Sequence, residues 1–166
     1  MNETSSTAHT ASKGPVDAPI AMRLALGFVA GFVAILAFEQ SVLALLSAAG
    51  VVSTTAYSLA PAAVTGVPQL LSRACRGGAW GVAFALIERR LPRRPAYAFW
   101  VAALAFGALL PSLFAWFVVE PMKHLPPAAG GDPVRLGVAL ASNGAWGIGT
   151  AAVYRVLRAL WSRRLP

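Results

Sequence analysis

The sequence predicts an all-α membrane protein of four transmembrane helices, and three observations carry that expectation. Hydrophobic residues make up 57% of the 166-residue chain and charged residues only 12%, whereas a soluble domain carries about a quarter charged residues. Four apolar stretches, at about 23–46, 68–91, 97–119 and 134–157, are each long enough to cross ~30 Å of hydrocarbon at ~1.5 Å per residue. Lys and Arg gather in short blocks between those stretches, as the positive-inside rule expects. The net charge of +8 therefore reads as topology. A nucleic-acid surface would instead spread its basic residues along one polar face with aromatics between them.

In chain order, residues 1–19 are rich in Ser, Thr, Ala and Pro and lack an apolar period, so a disordered cytoplasmic tail is expected. The first segment, 23–46, exceeds the ~7–15 apolar residues of a signal peptide and is read as a retained helix. Residues 47–67 carry no charge but contain Gly50, Pro61 and Gly66, with Pro68 beyond. They should form a loop or short helix at the outer surface, with Tyr57 as an interfacial anchor.

After the second segment, the loop ERRLPRRP from Glu88 to Pro95 holds four arginines and should be cytoplasmic. Pro111 lies near the centre of the third segment, where neighbouring helices can satisfy a freed carbonyl. The mixed-charge, turn-rich loop from Glu120 to Pro133 follows outside. The fourth segment leads into Arg155, Arg158, Arg163 and Arg164 and a basic cytoplasmic end at 162–166. Ten of the 14 basic residues fall on the inner side under this topology, so both termini are expected inside and the transmembrane domain spans 20–161. Tyr97, Trp100, Trp116, Tyr154 and Trp161 fall near helix ends, as interfacial belts require.

Trp80 and Trp146 do not fit those belts. Both lie near mid-depth, where an indole N–H must find a partner inside the bundle. They occupy the same place in a short repeat: Gly78-Ala79-Trp80-Gly81-Val82 matches Gly144-Ala145-Trp146-Gly147-Ile148 at an offset of 66 residues. Both copies run from outside to inside, so the repeat implies two tandem hairpins in parallel orientation. Small residues recur every four positions at Gly27 and Gly31, at Gly77, Gly81 and Ala85, and at Ala141, Ala145 and Gly149. Such faces let membrane helices approach closely, within one chain or in a homo-oligomer.

The best functional lead is a polar layer of Glu39, Arg73, Arg76 and Asn143. Glu39 lies 16 residues beyond Arg23, or ~24 Å along the first helix. Arg76 lies 15 residues before Leu91 on the opposite-running second helix, ~22 Å from its inner end. Asn143 reaches the same layer from the fourth helix, where it can bond either charge, and Arg73 can share the carboxylate or reach the outer headgroups. Charges at this depth should face the interior and pair. A structural ion pair and a site that binds or moves a proton, ion or small solute are both open; mutual neutralisation weights the first.

The remaining chemistry points away from an enzyme. His9 and His124 lie in the tail and an outer loop, so no haem or metal cluster has its ligands and no base is available for serine hydrolysis. No Gly-rich phosphate loop is present. Cys75 is a lone cysteine, which excludes an internal disulfide and is read as buried and inert. No cofactor is expected, and the bilayer is the expected partner. With Glu39-Gln40, GGAWG, FAWFVVEPMK and NGAWGIGTA, residues 21–157 resemble a group of small, uncharacterised bacterial four-helix inner-membrane proteins. That resemblance implies an inner-membrane location and carries no activity. A weaker likeness is to the small multidrug exporters, also four-helix proteins with a first-helix glutamate, but without arginines beside it.

Overall fold

The structure, a computed structural model, describes residues 19–62 and 66–163. The tail expected over 1–19 lies outside the described residues except for Pro19, as does the basic end beyond Arg163. Among the described residues four long helices form: α1, Ile20–Ala48; α2, Gln69–Ile87; α3, Ala96–Met122; and α4, Pro133–Ser162. Each begins at a proline, because a proline ring fixes φ and disfavours helical geometry in the residue before it. Pro19, Pro68 and Pro95 stand immediately before α1, α2 and α3. Pro133 opens α4 after Asp132, whose carboxylate accepts from the Val134 and Arg135 amides. That arrangement caps two of the four orphan amides at a helix start.

Three helices, α1, α3 and α4, are long and apolar enough to cross a membrane. Helix α2 has 19 residues and would span ~28 Å, but Arg73 and Arg76 lower its hydropathy and it is not among those three. The expected segments match these helices to within a few residues, with α4 extended to Ser162. Two of the helices are not uniform. Helix α1 widens into a π turn at Ile35–Glu39, and α3 does so at Ala115–Val119, one turn beyond Pro111. The loop after α1 folds back on it: the Tyr57 amide donates to Gln40 Oε1 at 2.8 Å, and the Tyr57 hydroxyl lies 3.3 Å from Ser41 Oγ.

Helices α1 and α2 pack as one antiparallel pair and α3 and α4 as another, with α4 also lying along α1. The pairs meet through backbone. A Cβ on Gly31 would collide with the Gly77 carbonyl, and one on Gly81 with the Gly27 carbonyl. In the second pair, a Cβ on Gly147 would strike the Ala103 carbonyl and one on Gly107 the Asn143 carbonyl. Gly81 and Gly147, equivalent in the repeat, thus do equivalent work. Small faces of this kind gain dispersion contacts where lipid supplies no hydrophobic drive.

One detail differs from the sequence expectation. The crossing on α4 runs through Asn143 and Gly147; of the expected Ala141/Ala145/Gly149 stripe, Ala141 is exposed and Gly149 abuts Phe38 of α1. Gly144, also expected to pack helices, does so against the Leu104 side chain of α3. Gly27, Gly31, Gly77 and Gly81, expected to pack helices within one chain or in a homo-oligomer, pack against one another within the chain. The core between the pairs is aromatic: Phe84 packs edge-on against Phe106 at 5.5 Å and Tyr154 at 6.1 Å between ring centroids, and Phe106 lies 6.3 Å from Trp146.

Candidate functional site

Residues from all four helices line one cleft of ≈ 560 Å³ at the Glu39 end of the bundle. Its position follows from the crossings. Gly77 lies against α1, so Arg73, four residues earlier on the same face of α2, extends along α1 towards Glu39. The contact is 3.8 Å from Arg73 Nη1 to Glu39 Oε1. That is a charge contact longer than a hydrogen bond.

Arg76 lies three residues further along α2 and is exposed where it lines the cleft. It interacts electrostatically with Glu39. Among the described residues it makes no hydrogen bond or ion pair. Asn143 turns to α3 and donates from Nδ2 to the buried Ser112 hydroxyl at 2.9 Å. The four residues of the expected polar layer therefore share one cleft, but Glu39 is paired by Arg73, and Asn143 bonds neither charge. Ser142, also in the lining, is spent on its own helix at the Ala139 carbonyl, 3.3 Å away.

Trp80 and Trp146 form the floor. Trp146 is buried and donates its indole N–H to the Gly31 carbonyl at 2.9 Å, the interior partner expected of a mid-depth tryptophan. Trp80 is half-buried, with Phe106 and Phe114 edge-on at 6.4 and 5.8 Å. No acceptor meets its indole among the described residues. Those rings bridge α2 and α3, whose backbones otherwise stay apart. With Arg76, Ala79 and Phe114 all exposed, the cleft opens between those two helices. Beneath the floor, Phe84, Phe106 and Tyr154 fill the bundle, so the cleft is blind.

At the opposite end, Glu88 was read from sequence as part of a cytoplasmic loop; it is 5% exposed. It accepts from Arg158 at 3.1 Å and Arg93 at 3.3 Å. Arg23, at the start of the first apolar segment, is buried and donates to the Ala85 carbonyl at 2.8 Å. The signal for the burial of Glu88 is that it continues the face of Phe84, four residues earlier.

Gly107 and Ser112 were missed as well, since a lone glycine and a lone serine in an apolar helix have no repeat to announce them. Cys75, expected to be buried, is exposed. Among the described residues, no three His, Cys, Asp or Glu side chains converge as a metal site. Comparison with known protein families, curated proteins and solved structures finds no match.

Proposed function

We propose that the protein is a four-helix integral membrane protein of the bacterial inner membrane, with a non-enzymatic structural or accessory role. Both termini are cytoplasmic and the Glu39 end faces outward. The membrane assignment draws support from the apolar exterior. Val101, Leu104, Leu109, Leu110, Leu113 and Phe117 are exposed along α3 alone, and large apolar side chains gathered at a surface mark a membrane or interaction face. The orientation draws support from the arginine blocks at the Glu88 end.

The observation that carries the accessory role is the blind cleft with its paired carboxylate. A solute path would have to continue past Trp80 and Trp146, where rings fill the bundle. Glu39 and Arg73 instead pin α1 to α2 above their glycine crossing. A transport role is the second reading, favoured by the cleft reaching Glu39 and by the π turns at Ile35–Glu39 and Ala115–Val119 beside it, since such turns often accompany function.

A double-mutant cycle on Glu39→Gln and Arg73→Gln separates the two. As a structural pin, each single change lowers the thermal stability of the detergent-solubilised protein and the double change recovers part of the loss, with a coupling of about 1 kcal/mol. Strictly additive effects would remove the pin and leave the carboxylate to transport. Reporter fusions after residues 92 and 128 test the topology; a reporter active outside the cytoplasm after residue 92 overturns it.

A further inference from the structure

The cleft holds one carboxylate and two guanidinium groups, and only one of the guanidiniums lies within ion-pair distance of the carboxylate. Arg73 contacts Glu39 at 3.8 Å, whereas Arg76 is exposed in the lining with no hydrogen bond or ion pair among the described residues. The site therefore carries one positive charge in excess. An uncompensated cation at membrane depth is costly and recruits a counter-charge.

Below Arg76 the character of the cleft changes. Ala79, Trp80, Phe114 and Pro111 form an apolar slot. The slot opens sideways between α2 and α3, towards the surface that carries exposed Leu110 and Leu113. A volume of ≈ 560 Å³ lies within the ~300–1,000 Å³ range of small-ligand sites. A ligand matching both parts has a single negative charge at one end and an apolar chain at the other.

We infer that the cleft binds an acidic phospholipid, with its phosphodiester on Arg76 and one acyl chain in the slot between α2 and α3. Charge complementarity and the lateral opening select this occupant. A phosphodiester carries the one negative charge that would balance two guanidiniums against one carboxylate, and the exposed Arg76 guanidinium can engage two of its oxygens at once. A water-soluble anion would satisfy the arginine but leave the slot empty. Entry from the side needs no aqueous path through the aromatic core, so the blind floor is no obstacle. The inference rests on the membrane reading above and gives the accessory protein a lipid-sensing or lipid-organising contact.

Trp80 is the natural reporter. The full chain is reconstituted in phosphatidylcholine vesicles containing a minor fraction of either brominated-chain phosphatidylglycerol or brominated-chain phosphatidylcholine. Quenching is read as the part of the tryptophan signal that Trp80→Phe removes. Phosphatidylglycerol is expected to quench several-fold more than phosphatidylcholine at equal fraction. Arg76→Gln should bring the ratio to unity, and Arg76→Lys should keep part of it. Equal quenching by the two lipids in the native chain overturns the proposal, as does a preference that survives Arg76→Gln. A preference erased by inorganic phosphate, but not by chloride at matched ionic strength, also overturns it by assigning the arginine to a soluble anion. If alkaline washing strips the chain from the vesicles, the membrane reading fails and the lipid site with it; a chain that stays inserted without headgroup preference loses only the lipid site.

Discussion

Trp146 and Trp80 hold equivalent places in the repeat and end in opposite situations. Trp146 is 2% exposed and bonded to the Gly31 carbonyl, which draws α4 onto α1. Trp80 is half-buried, meets only the edges of Phe106 and Phe114, and leaves α2 and α3 apart. The helices they face explain the difference. Helix α1 offers small residues at that level, Ala30, Gly31 and Ala34, so an indole can reach backbone. Helix α3 offers Phe106 and Phe114, which hold the indole off. The two hairpins thus have similar crossings but only one closed seam between them, and the open seam is where the cleft lies.

The sharpest way to break this comparison is at the crossings. Gly81→Val places a branched side chain where a single Cβ already collides with the Gly27 carbonyl. It should cost about 3 kcal/mol or abolish the fold, read as thermal unfolding in detergent. Gly147→Val should match it, and a much milder effect would mean that the two hairpins are not equivalent.

Next come the tryptophans. Trp146→Phe removes a buried donor and leaves the Gly31 carbonyl without it, for a loss of about 2 kcal/mol. Trp80→Phe deletes no internal hydrogen bond and should cost less than about 1 kcal/mol. Equal losses would show that Trp80 is also sealed. The smallest effect belongs to Gly137→Ala on α4. An added Cβ there meets nothing, so stability should stay within about 0.5 kcal/mol of the native chain or rise slightly.

Helix positions were legible because apolar length and proline punctuation are local properties: Pro19, Pro68, Pro95 and Pro133 stand at the observed helix starts. The composition of the cleft was legible too, since counting residues along helices of known rise brings Glu39, Arg73, Arg76 and Asn143 to one level. Which arginine meets Glu39 was not, because depth says nothing of rotation about the helix axis. Arg73 and Arg76 are three residues apart, and the Gly77 crossing turns the first towards α1 and leaves the second in the opening. Asn143 shows the same limit: its partner, Ser112, lies across a crossing set by Gly107, which has no companion glycine in its own helix. The burial of Glu88 escaped notice for another reason. The arginine block around it dominates the local pattern, and only the folded bundle brings Arg158 to its other side.

The π turn at Ile35–Glu39 holds one residue more than an α-helix of that rise requires. Each residue of an α-helix advances the azimuth by ~100°, so the surplus residue resets the angular phase of everything after it. Gly27 and Gly31 keep their bearing on α2, while Gln40 is brought round to receive the Tyr57 amide and Leu43 to line the cleft. Deleting one residue here would straighten the helix and leave its first half undisturbed. It would also turn Gln40 off the Tyr57 loop, so a length change of one amino acid would act as a rotation confined to one end of the molecule.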